Sequence, residues 1–229
     1  MATFVLIHGS YQGGWIWNPV AMRLRAAGHQ VYAPTLDGCA ERKSQIRAGI
    51  TTETQAEEVA QMLFYRDLHD VVLAGTSSGG MVVCRVAELM RERLSRLVFV
   101  DALALLDGEK IRDIVTRSTA VAGGLTAGPS REDAANRLFA DLDPATREHA
   151  LERYTQHPIG IYNEGVVLDH FWTMSWEASV IWCKRAQNPG EAHQRRTAEK
   201  LSAPFMELDT GHYPMLSEPE KLTAMLLKG

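Results

Sequence analysis

The sequence predicts an α/β fold, a six-stranded and mostly parallel sheet with helices on both faces and a helical cap inserted in it. Three observations carry this. Short apolar runs alternate with amphipathic stretches along most of the chain, as a sheet covered on both faces requires. Each apolar run ends in a loop. The 229 residues, 45% hydrophobic and 23% charged, are enough for one sizeable core without a disulfide framework.

The first strand is read at Thr3–Ile7. Asn18 can cap a helix with Pro19 at its first position, Trp17, Val20, Ala21 and Leu24 recur at helical spacing, and Gly28 supplies the stop. Gln30–Ala33 forms the second strand, and Thr52-x-x-Gln55 opens the next helix with a capping-box pattern. Val71–Ala74 runs into Gly75-Thr76-Ser77-Ser78-Gly79-Gly80, after which Met81, Val82, Val83, Val86 and Ala87 continue as a helix. Arg96–Val100 is the fourth strand. The stretch from about 103 to 175 has no convincing strand but two helix starts, Ser130-x-x-Asp133 and Asp143-Pro144, and reads as a helical lid on a single domain spanning 1–229. Ala178–Cys183 and Pro204–Leu208 complete the sheet, and Ser217-x-x-Glu220 opens the last helix.

Composition excludes several functions. With net charge −4, the pairs Lys184-Arg185 and Arg195-Arg196 are too short a basic run to track phosphates, so nucleic acid is not expected. No stretch approaches eighteen consecutive apolar residues, so no membrane span is expected. Three cysteines without a CxxC pair, and no basic or long apolar leader after Met1, read as a reduced, cytoplasmic chain. Cys84 and Cys183 read as buried, and no Cys/His pair has ligand spacing, so neither metal nor organic cofactor is expected. A small molecule is the partner the sequence implies.

The chemistry concentrates in three loops. Gly75-Thr76-Ser77-Ser78-Gly79 is G-x-S-x-G between a strand and a helix, a sharp turn that can hold the Ser77 hydroxyl out of the sheet as a nucleophile. Phe4-Val5-Leu6-Ile7-His8-Gly9-Ser10 ends in a loop able to aim a backbone N–H above that serine. The oxyanion donors are therefore assigned to the N–H groups of Ser10 and Ser78. His8 itself reads as a histidine that holds its loop by hydrogen bonds. His212, in Leu208-Asp209-Thr210-Gly211-His212, follows the last strand, where the loops of an open α/β sheet gather, and is the candidate general base. His29, His69, His149, His157 and His193 read as solvated surface.

Together the His-Gly loop, the G-x-S-x-G elbow and the late Gly-His resemble the α/β-hydrolase fold over nearly the whole chain. His8-Gly9 with Gly13-Gly14-Trp15, and Gly211-His212 with Met215-Leu216-Ser217, resemble the small esterases related to plant methyl-salicylate esterases and hydroxynitrile lyases. That resemblance implies an acid after the penultimate strand, but Ala186 stands where the Asp would fall. Asp101, at the end of Leu97-Val98-Phe99-Val100, is the candidate acid, as in some other α/β-hydrolases, and its chain order Ser77, Asp101, His212 agrees with the fold. Glu191 and Asp209 are the alternatives. Thr35–Arg42 with Gly49-Ile50-Thr51-Thr52 is similar to bacterial hydrolases of benzimidazole methyl carbamates.

The expected reaction is acyl transfer from a small ester or carbamate ester through an acyl-enzyme. Three other readings compete. A dinucleotide-binding dehydrogenase fits Gly9-x-x-x-Gly13-Gly14, but no Tyr-x-x-x-Lys or Gly-Lys-Ser/Thr occurs. A hydroxynitrile lyase of the resembled family would carry lysine where Tyr213 stands. A non-catalytic binding homologue would keep every motif. Tyr11, Trp15, Phe171 and Trp172 are the candidate substrate contacts. The three loops hold no lysine or arginine, which favours a neutral aryl or heteroaryl methyl carbamate or short-chain ester.

Overall fold

A computed structural model describes residues 1–115 and 124–228. Six strands, β1 (Thr3–Ile7), β2 (Gln30–Tyr32), β3 (Val71–Ser77), β4 (Leu94–Ala102), β5 (Ala178–Cys183) and β6 (Phe205–Leu208), form one sheet in the order β2-β1-β3-β4-β5-β6. Every pairing is parallel, so the sheet is wholly rather than mostly parallel.

Successive strand residues point to opposite faces, and the core divides accordingly. Val5, Ile7, Leu73, Leu97, Phe99 and Val180 pack with α2 (Thr52–Tyr65), α3 (Gly79–Leu89) and α5 (Glu191–Leu201). Phe4, Leu6, Val72, Ala74, Val98, Val100 and Ile181 face α1 (Asn18–Ala26) and α6 (Pro219–Leu227). Helix α4 (Pro144–Glu152) lies in the segment between β4 and β5, capped by Asp143, whose Oδ1 accepts from Ala145 and Thr146 N–H as its Asp-Pro start predicts. Ser130 likewise caps the turn at Arg131–Asp133.

Several local expectations are corrected. The capping box of α2 belongs to Thr51 and Thr54: Thr54 N–H donates to Thr51 Oγ1 at 3.3 Å and Thr51 N–H to Thr54 Oγ1 at 3.0 Å, one residue before the pattern read from sequence. Ser217 does not cap α6; its hydroxyl is 2.7 Å from Thr210 Oγ1, and α6 begins at Pro219. The segment read as free of strands holds a two-stranded antiparallel ribbon, Thr126–Ala127 with His157–Pro158. Such two-residue strands are too short to leave a periodicity. Part of the expected lid, residues 116–123, lies outside the described residues.

The chain runs from β1 outward to β2, then returns to β3 on the other side of β1. The order therefore reverses between β1 and β3, and the crevice of an open parallel sheet opens at the carboxyl ends of such a pair. His8–Gly13 follows β1 there, and Ser77 ends β3.

Candidate active site

Ser77 holds φ +52°, a left-handed backbone that costs a non-glycine residue about 1–3 kcal/mol and is sustained only where the surroundings impose it. The constraints are visible. Ser77 O accepts the Leu103 N–H at 2.8 Å, and a Cβ at Gly79 would stand 2.5 Å from His8 O, so only glycine lets α3 start this close to the β1 loop. Gly9 lies against the serine itself: a Cβ there would be 2.5 Å from Ser77 Cβ and 3.2 Å from its Oγ.

The β1 loop is fixed from within. Leu36 N–H donates to His8 Nε2 at 3.0 Å, so His8 Nδ1–H donates to Gly9 O at 2.8 Å. Burial lowers the pKa of His8 to about 4, which keeps it neutral with both nitrogens engaged, the loop-holding role read from sequence. Ser10 and Ser78 hydroxyls meet at 2.9 Å. Among the described residues neither backbone N–H of this pair is taken up by a hydrogen bond.

Asp101 comes from an irregularity in β4. Thr76 pairs with Val100 but Ser77 pairs with Ala102, so Asp101 is the extra residue of a bulge, with φ +45°. A bulge re-aims a side chain, and here it sends the Asp101 carboxylate toward the loop after β6. His212 Nδ1–H donates to Asp101 Oδ2 at 2.5 Å, which leaves Nε2 as the acceptor, and Cys183 N–H donates to Oδ1 at 3.3 Å. Burial raises the pKa of Asp101, while His212 and the Cys183 N–H pull it down.

The other two carboxylates lie elsewhere. Glu191 heads α5 in an ion pair with Arg195 at 2.7 Å. Asp209 is exposed beside Arg185 at 3.5 Å. Among the described residues no hydrogen bond joins Ser77 Oγ to His212, a contact that is often long until substrate is in place.

A strained serine at an elbow, a histidine on a late loop and a buried aspartate bonded to it now stand at the carboxyl ends of a parallel sheet's strands. The alpha/beta hydrolase family profile matches residues 4–225. The chain belongs to the alpha/beta hydrolase family. Among its relatives it is 36% identical over 118 residues to a carbendazim hydrolyzing esterase of Nocardioides sp., covering 52% of this chain and 49% of that protein, about half its length. A lipase of Mycobacterium tuberculosis is 25% identical over 98% of this chain and 92% of its own. An alpha-hydroxynitrile lyase of Arabidopsis thaliana is 31% identical over 43% of this chain and 39% of its own. By structure, an extracellular alpha/beta-hydrolase from a Paenibacillus species superposes with TM-score 0.87 at 23% identity, over 100% of this chain and 98% of that one.

The aromatic residues of this alpha/beta hydrolase divide into two groups. Tyr11, in the β1 loop at φ +69°, packs under the segment between β4 and β5, with ring centroids 5.8 Å from Tyr154, 6.3 Å from His157 and 6.4 Å from Tyr162. Trp15 meets His149 edge-on at 5.9 Å.

Phe171 and Trp172 form the second group. Phe171 is fully buried between Trp172 and Trp176, and its N–H donates to Glu88 Oε1. Glu88 lies nine residues beyond Gly79 along α3, about 13 Å from the elbow. Trp172 Nε1 donates to Leu105 O, and its ring faces Lys200. Phe171 thus holds the segment to the outer end of α3, and Trp172 holds it to the stretch after β4 and to α5.

Two histidines read as surface are buried. His157 sits 3.4 Å from Cys39 Sγ, and burial lowers its pKa to about 3. His193 accepts the Ala104 N–H at 3.1 Å, fastening the start of the inserted segment to α5, and burial lowers its pKa to about 4. Position along the sequence could not reveal either, because His157 lies in, and His193 beneath, the segment whose path the sequence left open. No helix among the described residues is long and apolar enough to cross a membrane.

Proposed function

We propose that the protein is a serine hydrolase that cleaves a small neutral ester or carbamate ester, an aryl or heteroaryl methyl carbamate or a short-chain ester, through an acyl-enzyme. The observation that carries this reading is the 2.5 Å bond from His212 to the buried Asp101, at the carboxyl end of the sheet where Ser77 stands on its elbow. Ser77 Oγ attacks the carbonyl carbon as its proton passes to His212 Nε2, while Asp101 holds the imidazole tautomer and stabilises the imidazolium. Backbone N–H groups of Ser10 and Ser78 receive the negative charge that forms on the carbonyl oxygen. The intermediate collapses, the alcohol leaves with the proton from His212, and water, deprotonated by the same nitrogen, releases the acid and frees Ser77.

Substrate class rests on chemistry and kinship together. No lysine or arginine lies in the β1 loop, the elbow or the His212 loop, so an anionic group would find no counter-charge at the reacting carbon. The carbendazim hydrolyzing esterase among the relatives supports a carbamate. A hydroxynitrile-lyase reading is disfavoured because Tyr213, after the histidine, is buried against Phe139 at 4.9 Å and offers no cation. Three free, buried cysteines accord with a reducing cytoplasm.

A fluorophosphonate probe should label Ser77, and Ser77→Ala should be both unlabelled and inactive across aryl carbamates, short aryl esters, lactones and amides. Labelling that persists in Ser77→Ala or maps to Ser78 would overturn the assignment.

A further inference from the structure

The mechanism above leaves one side chain beside the oxyanion loop unused. Tyr162, in the short helix Gly160–Asn163, lays its ring almost parallel to Tyr11, with planes 18° apart. Its phenol oxygen is buried and makes no hydrogen bond of good geometry, although the side chains of Ser10 and Tyr11 approach it. Around it stand the side chains of Ser10, Tyr11 and Cys39, and burial pushes its pKa far up, so it remains a neutral hydroxyl. Ser10 Oγ is in turn bonded to Ser78 Oγ, and these two residues carry the N–H groups assigned to the oxyanion. The idle hydroxyl is therefore one side chain away from the place where the substrate carbonyl must sit. A buried hydroxyl without a partner is a standing cost that a ligand atom of the right kind removes and an apolar one does not.

We propose that Tyr162 is a specificity-determining residue whose oxygen accepts a hydrogen bond from the N–H attached to the reacting carbonyl carbon of a carbamate. This rests on the serine-hydrolase reading and deepens it: the polar atom beside the carbonyl is what the site selects. Tyr162 has lone pairs for the carbamate N–H and can turn its own proton toward Ser10 Oγ. A substrate of the same shape with CH2 in place of N–H leaves the lone pairs of the buried phenol oxygen without a donor, and is discriminated against for that reason.

Methyl N-phenylcarbamate and methyl phenylacetate differ by that one replacement and are the test pair. Turnover of each, and protection of Ser77 by each against fluorophosphonate labelling, are measured in the wild type and in Tyr162→Phe. The carbamate-to-phenylacetate ratio of kcat/KM, or of protection where turnover is slow, should fall about tenfold or more in the variant. Thermal stability should change by no more than about a degree or two, because the hydroxyl removed makes no hydrogen bond of good geometry in the protein. An unchanged ratio, an equal loss on both compounds, no protection by either, or a fall of several degrees in Tm would each overturn the role of Tyr162. Failure of the wild type to label at Ser77 would instead overturn the serine-hydrolase reading, so the two failures are separate.

Discussion

Asp101 shows what a residue-level reading can and cannot extract. Chain order and strand ends reduce the acid to three carboxylates, but only the bulge in β4 decides among them, and no residue type marks a bulge of this kind. Asp101→Asn should lower kcat by about 10³–10⁴-fold with little loss of stability, because the imidazole would be held in the wrong tautomer. Glu191→Gln and Asp209→Asn, whose charges meet Arg195 and Arg185 at the surface, should stay within about twofold of wild type. Steady-state kinetics on one aryl ester decides it, and a reversed order would place the acid on another strand. Ser77 and His212 stand out in the sequence because Ser77 lies between two glycines at a strand end and His212 follows a glycine in the loop after the last strand. Tyr162 and His157 do not, since their meeting with the β1 loop depends on a segment without periodicity.

At the level of elements, the two outcomes have one cause. Strands buried on both faces announce themselves as apolar runs, so β1 and β5 are read to the residue, while β3 comes out longer by three residues at its carboxyl end and β4 by two at each end. Helix caps depend on one side chain and slip by a residue, as Thr51 does. The contact between the β1 loop and the elbow is the element-level device the site needs most. Gly9→Ala would put a methyl 2.5 Å from Ser77 Cβ and 2.9 Å from Thr76 O, so one of the two loops must move. The expected result is a fall in kcat of about 100-fold, as a misplacement on the order of 1 Å can cause, with the fold retained by circular dichroism. Wild-type turnover in that variant would show that the two loops are not rigidly coupled.

Over the whole molecule, three buried histidines couple stability to pH. His8, His157 and His193 are bases whose folded-state pKa values, about 4, 3 and 4, lie below the ordinary 6.5, so the unfolded chain takes up their protons first. Their contribution is whole above pH 6.5 and is lost as pH falls toward 4, by up to about 1.4 kcal/mol per pH unit for each. Asp101, raised by burial, acts in the opposite sense, gaining as it is protonated, and only partly offsets three groups. Denaturant midpoints should therefore drop steeply between pH 6.5 and 4.5, and a flat profile there would mean that these imidazoles are hydrated. The bulge at Asp101 also bears on how such chains are sorted. A survey that recognises competent members by a carboxylate after β5 meets Ala186 in this chain and files it with the dead homologues, although a carboxylate on β4, the strand beside the nucleophile's own, already grips the histidine.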